Sequence, residues 1–109
     1  MDEIRTNSGV TLRVSNGNTI YTSDGKAFWR CGSTLVGNGT VISYKCKSPE
    51  EALDMVAALY NLISDMRPKW LDNEDTSLTL DTYLDGRKCQ TRGGFVAMKP
   101  EGFTFSFED

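Results

Sequence analysis

The sequence predicts an α+β domain: a largely antiparallel sheet, N-terminal and C-terminal strands together, with one long amphipathic helix packed across it. Three observations predict it. Residues 48–67, SPEEALDMVAALYNLISDMR, carry a helical apolar period with start and stop signals at both ends. Residues 10–47 alternate apolar and polar side chains between Asn-Gly and Asp-Gly turns. The last segment spaces Phe103, Phe105 and Phe107 two residues apart, the period of a strand.

The helix has the clearest local grammar. Ser48 suits the N-cap, Pro49 the first turn, and Glu51 stands at the capping-box position. At 100° per residue, Ala52, Leu53, Met55, Val56, Leu59, Tyr60, Leu62, Ile63 and Met66 fill about half the circumference. Asp54, Asn61, Ser64 and Asp65 gather on the other half. Arg67 complements the C-terminal end of the helix dipole, and Pro68 forbids continuation.

The strands follow from alternation. Residues 1–8 are polar and are expected to fray. Val10, Leu12 and Val14 alternate with Thr11 and Arg13; after the Asn16-Gly17 turn the chain returns through Ile20, inward, and Tyr21, outward. Beyond Asp24-Gly25, a third run sets Ala27, Trp29 and Cys31 against Phe28 and Arg30, with a large aromatic on each face. Leu35-Val36 sits among glycines as a short strand or bulged loop. Residues 41–47 put Ile42, Tyr44 and Cys46 toward the core and read as the fourth strand of this N-terminal meander.

After the helix, Trp70 and Leu71 turn the chain back, followed by the acidic run Asp72, Glu74, Asp75. Residues 77–84 read as a strand with Leu78, Leu80 and Leu84 on one face, and Asp85-Gly86 is a hairpin turn. The basic segment 87–92 follows, and Gly93-Gly94 reads as a chain break. The three C-terminal phenylalanines are expected in the core. All 109 residues are taken as one domain, a length that buries roughly two-thirds of the unfolded surface.

Composition excludes several classes. The 39% apolar and 25% charged content is that of a globular chain, and no window reaches the ~20 apolar residues of a membrane span. MDEIRTNSG has neither basic n-region nor apolar run, so it does not read as a signal peptide, and the expected compartment is the cytoplasm. The Asn38-Gly39-Thr40 sequon carries little weight there. Three scattered cysteines, Cys31, Cys46 and Cys89, suit reduced thiols. The net charge of −3 divides unevenly: residues 1–47 sum to +3 and residues 48–109 to −6. That is either a solvated surface or an acidic face that steers toward a basic partner.

No catalytic constellation is legible. Histidine is absent, which removes Ser-His and Cys-His nucleophile pairs. The cysteines lack zinc-site spacing, and Gly37-Asn38-Gly39 lacks the context of a dinucleotide loop. Asp72, Glu74 and Asp75 lack the glycine and distal glutamate of an EF-hand. Cys89, between Lys88 and Arg92, is a candidate for a lowered thiol pKa or an ordinary half-exposed cysteine. The expectation is a non-enzyme with no metal and no cofactor.

Three functional readings remain. The first is a stoichiometric protein-binding inhibitor, or an immunity-type or phage accessory protein, acting through Trp70, Asp72, Glu74 and Asp75 on a protein partner, for which a basic surface is the complementary match. The second is a single-stranded nucleic-acid binder that uses Arg13, Arg30, Lys45 and Lys47 with Tyr21 and Phe28 on the N-terminal sheet. The third is a homodimer or small-ligand-sequestering protein meeting its partner through the helix face or the open sheet. No membrane partner is expected.

Overall fold

A computed structural model of the chain describes residues 3–16, 19–30, 40–66, 77–94 and 102–108. Among the described residues it is an α+β fold of one helix and two four-stranded sheets. The first sheet is an antiparallel meander of β1 (Glu3–Arg5), β2 (Thr11–Ser15), β3 (Thr19–Thr22) and β4 (Phe28–Arg30), in that order. The second contains β5 (Thr40–Cys46), β6 (Ser77–Leu84), β7 (Arg87–Gly94) and β8 (Thr104–Phe107), with α1 (Pro49–Met66) between β5 and β6.

Two strand assignments differ from the sequence expectation. Residues 3–5, expected to belong to a frayed tail, form β1. Ile4 sits opposite Leu12, and its side chain packs against the core. The turn after it closes through Thr6 N–H to Val10 O at 2.8 Å and Val10 N–H to Thr6 Oγ1 at 3.1 Å. Ile4 between Glu3 and Arg5 is already a period-two pattern, short enough to pass for a polar tail.

The second difference concerns β5. It does not complete the N-terminal meander but pairs in parallel with β6, the rest of its sheet being antiparallel. The cause is its continuity with the helix. β5 runs almost directly into the Ser48 cap, α1 carries the chain back, and the following strand must then lie parallel to β5.

The helix start is held as its residue types require. Ser48 Oγ accepts from Glu51 N–H at 3.1 Å. Glu51 Oε2 accepts in return from Lys47 N–H at 3.2 Å, one residue earlier than in the standard capping box. Ala52, Met55, Val56, Ala58, Leu59, Leu62 and Ile63 are buried, whereas Leu53, expected on the apolar half, is exposed at its edge. Arg67 and Pro68 lie outside the described residues, as do Leu35 and Val36.

A single apolar cluster joins all three layers. Leu12, Ile20 and Ala27 come from the first sheet and its last turn; Tyr44, Cys46, Leu78 and Leu80 come from the second, with Phe103 just ahead of β8. The helix face lies between them. Each fully buried large aliphatic side chain contributes about 1.5–3 kcal/mol of transfer free energy.

The C-terminal hairpins carry two lessons. Asp85 and Gly86 both have positive φ, 52° and 77°, the two-residue turn that matches strand twist. Gly93 and Gly94, expected to break the chain, instead continue β7 opposite Leu78 and Ser77. The reason is packing: a Cβ on Gly93 would lie 2.6 Å from the Phe103 ring. The three phenylalanines are graded, with Phe103 buried, Phe105 half-buried and Phe107 exposed.

Candidate interaction surface

Alternation along the first sheet decides which side chains reach its outer face. Leu12, Ile20 and Ala27 are buried, so their neighbours Arg13, Tyr21 and Phe28 point the other way. Cross-strand register then lines these up. Arg13 is opposite Tyr21, Tyr21 is opposite Phe28, and Glu3 continues the row beyond Arg13. Phe28 is 67% exposed, the most exposed large apolar side chain among the described residues. Tyr21 beside it is half-buried. The face question left open by Phe28 and Trp29 is thereby settled for Phe28.

Arg13 on this face is paired. Arg13 Nε lies 3.0 Å from Glu3 Oε2, both side chains about half exposed. Arg30 pairs with Thr19 in the ladder at the end of β4. Lys45 and Lys47, grouped with this face in the sequence reading, belong to or follow β5 in the other sheet. Lys45 Nζ sits 5.8 Å from the centroid of the Tyr83 ring, and Lys47 N–H is held by Glu51. The structure therefore brings together Arg13, Tyr21 and Phe28 and separates the two lysines from them. Trp70, Asp72, Glu74 and Asp75 lie outside the described residues.

The second sheet carries its own cluster of polar contacts around Lys88. Lys88 Nζ reaches Glu108 at 3.3 Å and Asp81 at 3.9 Å, and Gln90 Nε2 donates to Asp81 at 3.4 Å. The bond to Glu108, followed by the negative charges of Glu108 and Asp81, raises the Lys88 pKa above its ordinary value. Arg87 donates to the Glu108 carbonyl at 3.3 Å and lies 4.7 Å from the centroid of the Phe107 ring.

Cys89 is not an activated thiol. Its side chain is fully buried, while Lys88 and Arg92 occupy strand positions of opposite parity and face the other way. Burial pushes the Cys89 thiol up, and it pushes Cys46 up to about 12. Thiolate chemistry needs the reverse shift. Cys31 lies outside the described residues.

Two features escaped the sequence reading. Tyr44 donates its hydroxyl to Asp24 Oδ2 at 3.3 Å, linking the second sheet to the β3–β4 turn of the first. A cleft of about 120 Å³ lies between β1 and α1, with Arg5 and Thr6 on one wall and Asp54 and Asn61 on the other. Neither has a local signal, since each joins residues far apart in the chain. Among the described residues no group of three or more Cys, Asp or Glu side chains is placed to hold a metal, and no helix is long and apolar enough to cross a membrane. No protein-family model, curated protein or solved structure matches this chain.

Proposed function

We propose that this chain is a small non-enzymatic protein-binding module, acting stoichiometrically through the outer face of the N-terminal sheet. The observation that carries this reading is Phe28, 67% exposed beside Tyr21 and Arg13 on a sheet whose other face is used by the core. Aromatic side chains and arginine are the types enriched at interface centres. An exposed phenylalanine gains by desolvation on binding, and the half-buried Tyr21 next to it needs little ordering.

The face suits protein better than nucleic acid. A stacking platform for bases works with free cations that track the phosphates. Here Arg13 is paired with Glu3, Lys45 lies on β5 of the other sheet and Lys47 follows it, which leaves Arg30, at the end of β4, as the one other cation of the expected set on this sheet. The acidic residues 72–75 remain a second contact region in this proposal, suited to a basic rim on the partner.

Affinity capture from the source lysate, with and without nuclease, tests the reading. One protein recovered in equal amount from both halves by the native chain, and lost with Phe28→Ala, is the expected result. Recovery that collapses with nuclease would move the assignment to single-stranded nucleic acid.

A further inference from the structure

The edge of β1 is complementary to itself. In an antiparallel ladder, hydrogen-bonded residue pairs alternate with pairs that are not bonded. Thr6 N–H donates to Val10 O, so the Ile4–Leu12 pair two positions away is also a bonded one. The backbone N–H and C=O groups of Glu3 and Arg5 therefore point away from β2. Among the described residues no strand lies on that side, because β1 ends its sheet. Where α1 approaches β1, a cleft lined by Ile4, Arg5, Thr6, Asp54, Ala57 and Asn61 separates them, and Asn7 Nδ2 donates to Asp54 Oδ1 across it at 3.4 Å.

A two-fold axis at Ile4 would set Glu3 of one copy opposite Arg5 of the other, twice. Those are the two residues whose backbone groups point outward, so four main-chain hydrogen bonds form in register. The side chains match as well. Glu3 and Arg5 are both exposed, and Arg5 has no ion-pair partner among the described residues. Glu3, already 3.0 Å from Arg13, has a second carboxylate oxygen for the partner's Arg5. We propose that a second copy of this chain docks on the outer edge of β1, antiparallel about Ile4, extending the N-terminal sheet to eight strands. This goes beyond the protein-binding face proposed above and leaves that face open, since Phe28 lies on β4 at the opposite edge.

Three-residue strands make a small contact, so the association is a weak one, read at high protein concentration. The test is sedimentation equilibrium between about 10 μM and about 1 mM chain. The native chain should move from monomer toward dimer across that range. Glu3→Arg and Arg5→Glu each place like charges opposite one another twice, and each should weaken self-association by roughly tenfold or more. Mixed together, the two variants present Arg against Glu at both contacts and should recover the native mass. Far-UV circular dichroism of each variant establishes that both are folded, as expected for exposed positions. A native chain that stays monomeric at about 1 mM would overturn the proposal. So would single variants that associate as well as the native chain, or a mixture of folded variants that fails to associate.

Discussion

Tyr44 Oη donates to Asp24 Oδ2 across 3.3 Å, and this bond ties β5 of the second sheet to the β3–β4 turn of the first. Asp24 is well equipped to accept it. It also takes the Lys26 N–H at 2.9 Å, and these bonds, with that from Thr22 the largest, hold its carboxyl below the usual value. Burial, then the charge of Asp24, pushes the Tyr44 hydroxyl up to about 12. Tyr44→Phe is expected to cost about 0.5–1.5 kcal/mol, read as a lower urea midpoint with unchanged slope.

The same pair sets a pH dependence. Asp24 has a folded-state pKa below 3.8, so its contribution is present above that value and fades as acid protonates the folded carboxylate. Tyr44 has a folded-state pKa above 10, so its contribution is complete below pH 10 and is lost between 10 and about 12. Cys46, raised from 9 to about 12, adds a loss over an overlapping alkaline window. Melting temperature against pH should therefore show a plateau falling at both ends. In Tyr44→Phe the alkaline fall should be shallower but still present, the remainder belonging to Cys46.

Gly93 is required by a ring. Gly93→Ala places a methyl 2.6 Å from Phe103, whose 6% exposure leaves it little room to move. The expected cost is about 1–3 kcal/mol by denaturant unfolding. In a Phe103→Ala background the same substitution should cost much less, and the double-mutant cycle measures that coupling. Equal costs in both backgrounds would remove the steric explanation.

Thr91 presents the opposite case. Its Oγ1 is fully buried and has no hydrogen-bond partner. Thr91→Val keeps the shape and removes an unpaired hydroxyl, so stability should hold or rise by about 1 kcal/mol. Thermal unfolding of the variant checks it; a clear loss would mean that the hydroxyl has a partner in solution.

The residues that were legible in the sequence are those whose signals are local. Ser48 and Glu51 announce the helix start within four positions, and the structure has both bonds. Asp85-Gly86 announces its turn through residue types that tolerate positive φ. Sheet membership is not local. Residues 41–47 alternate equally well for either sheet, and only the return of the chain through α1 assigns them to the second. That one pairing moved Lys45 and Lys47 away from Tyr21. Gly93 looked like a break because its partner Phe103 is ten residues on, and Cys89 read as either half-exposed or activated because its sequence neighbours Lys88 and Arg92 are basic, whereas strand parity turns them to the opposite face and buries the thiol. Of the interaction surface, Arg13, Tyr21 and Phe28 could be read from alternation, whereas the Arg13–Glu3 pair required knowing that residues 3–5 form a strand.

The proposed protein-binding face rests on Phe28, and its most direct test is a binding constant. With the captured partner in hand, titration calorimetry compares the native chain with Phe28→Ala at one salt concentration. An exposed aromatic anchor predicts a loss of about 2 kcal/mol or more, roughly a thirtyfold rise in Kd, with unfolding stability unchanged. An unchanged Kd would contradict the account and place the contact elsewhere on the chain.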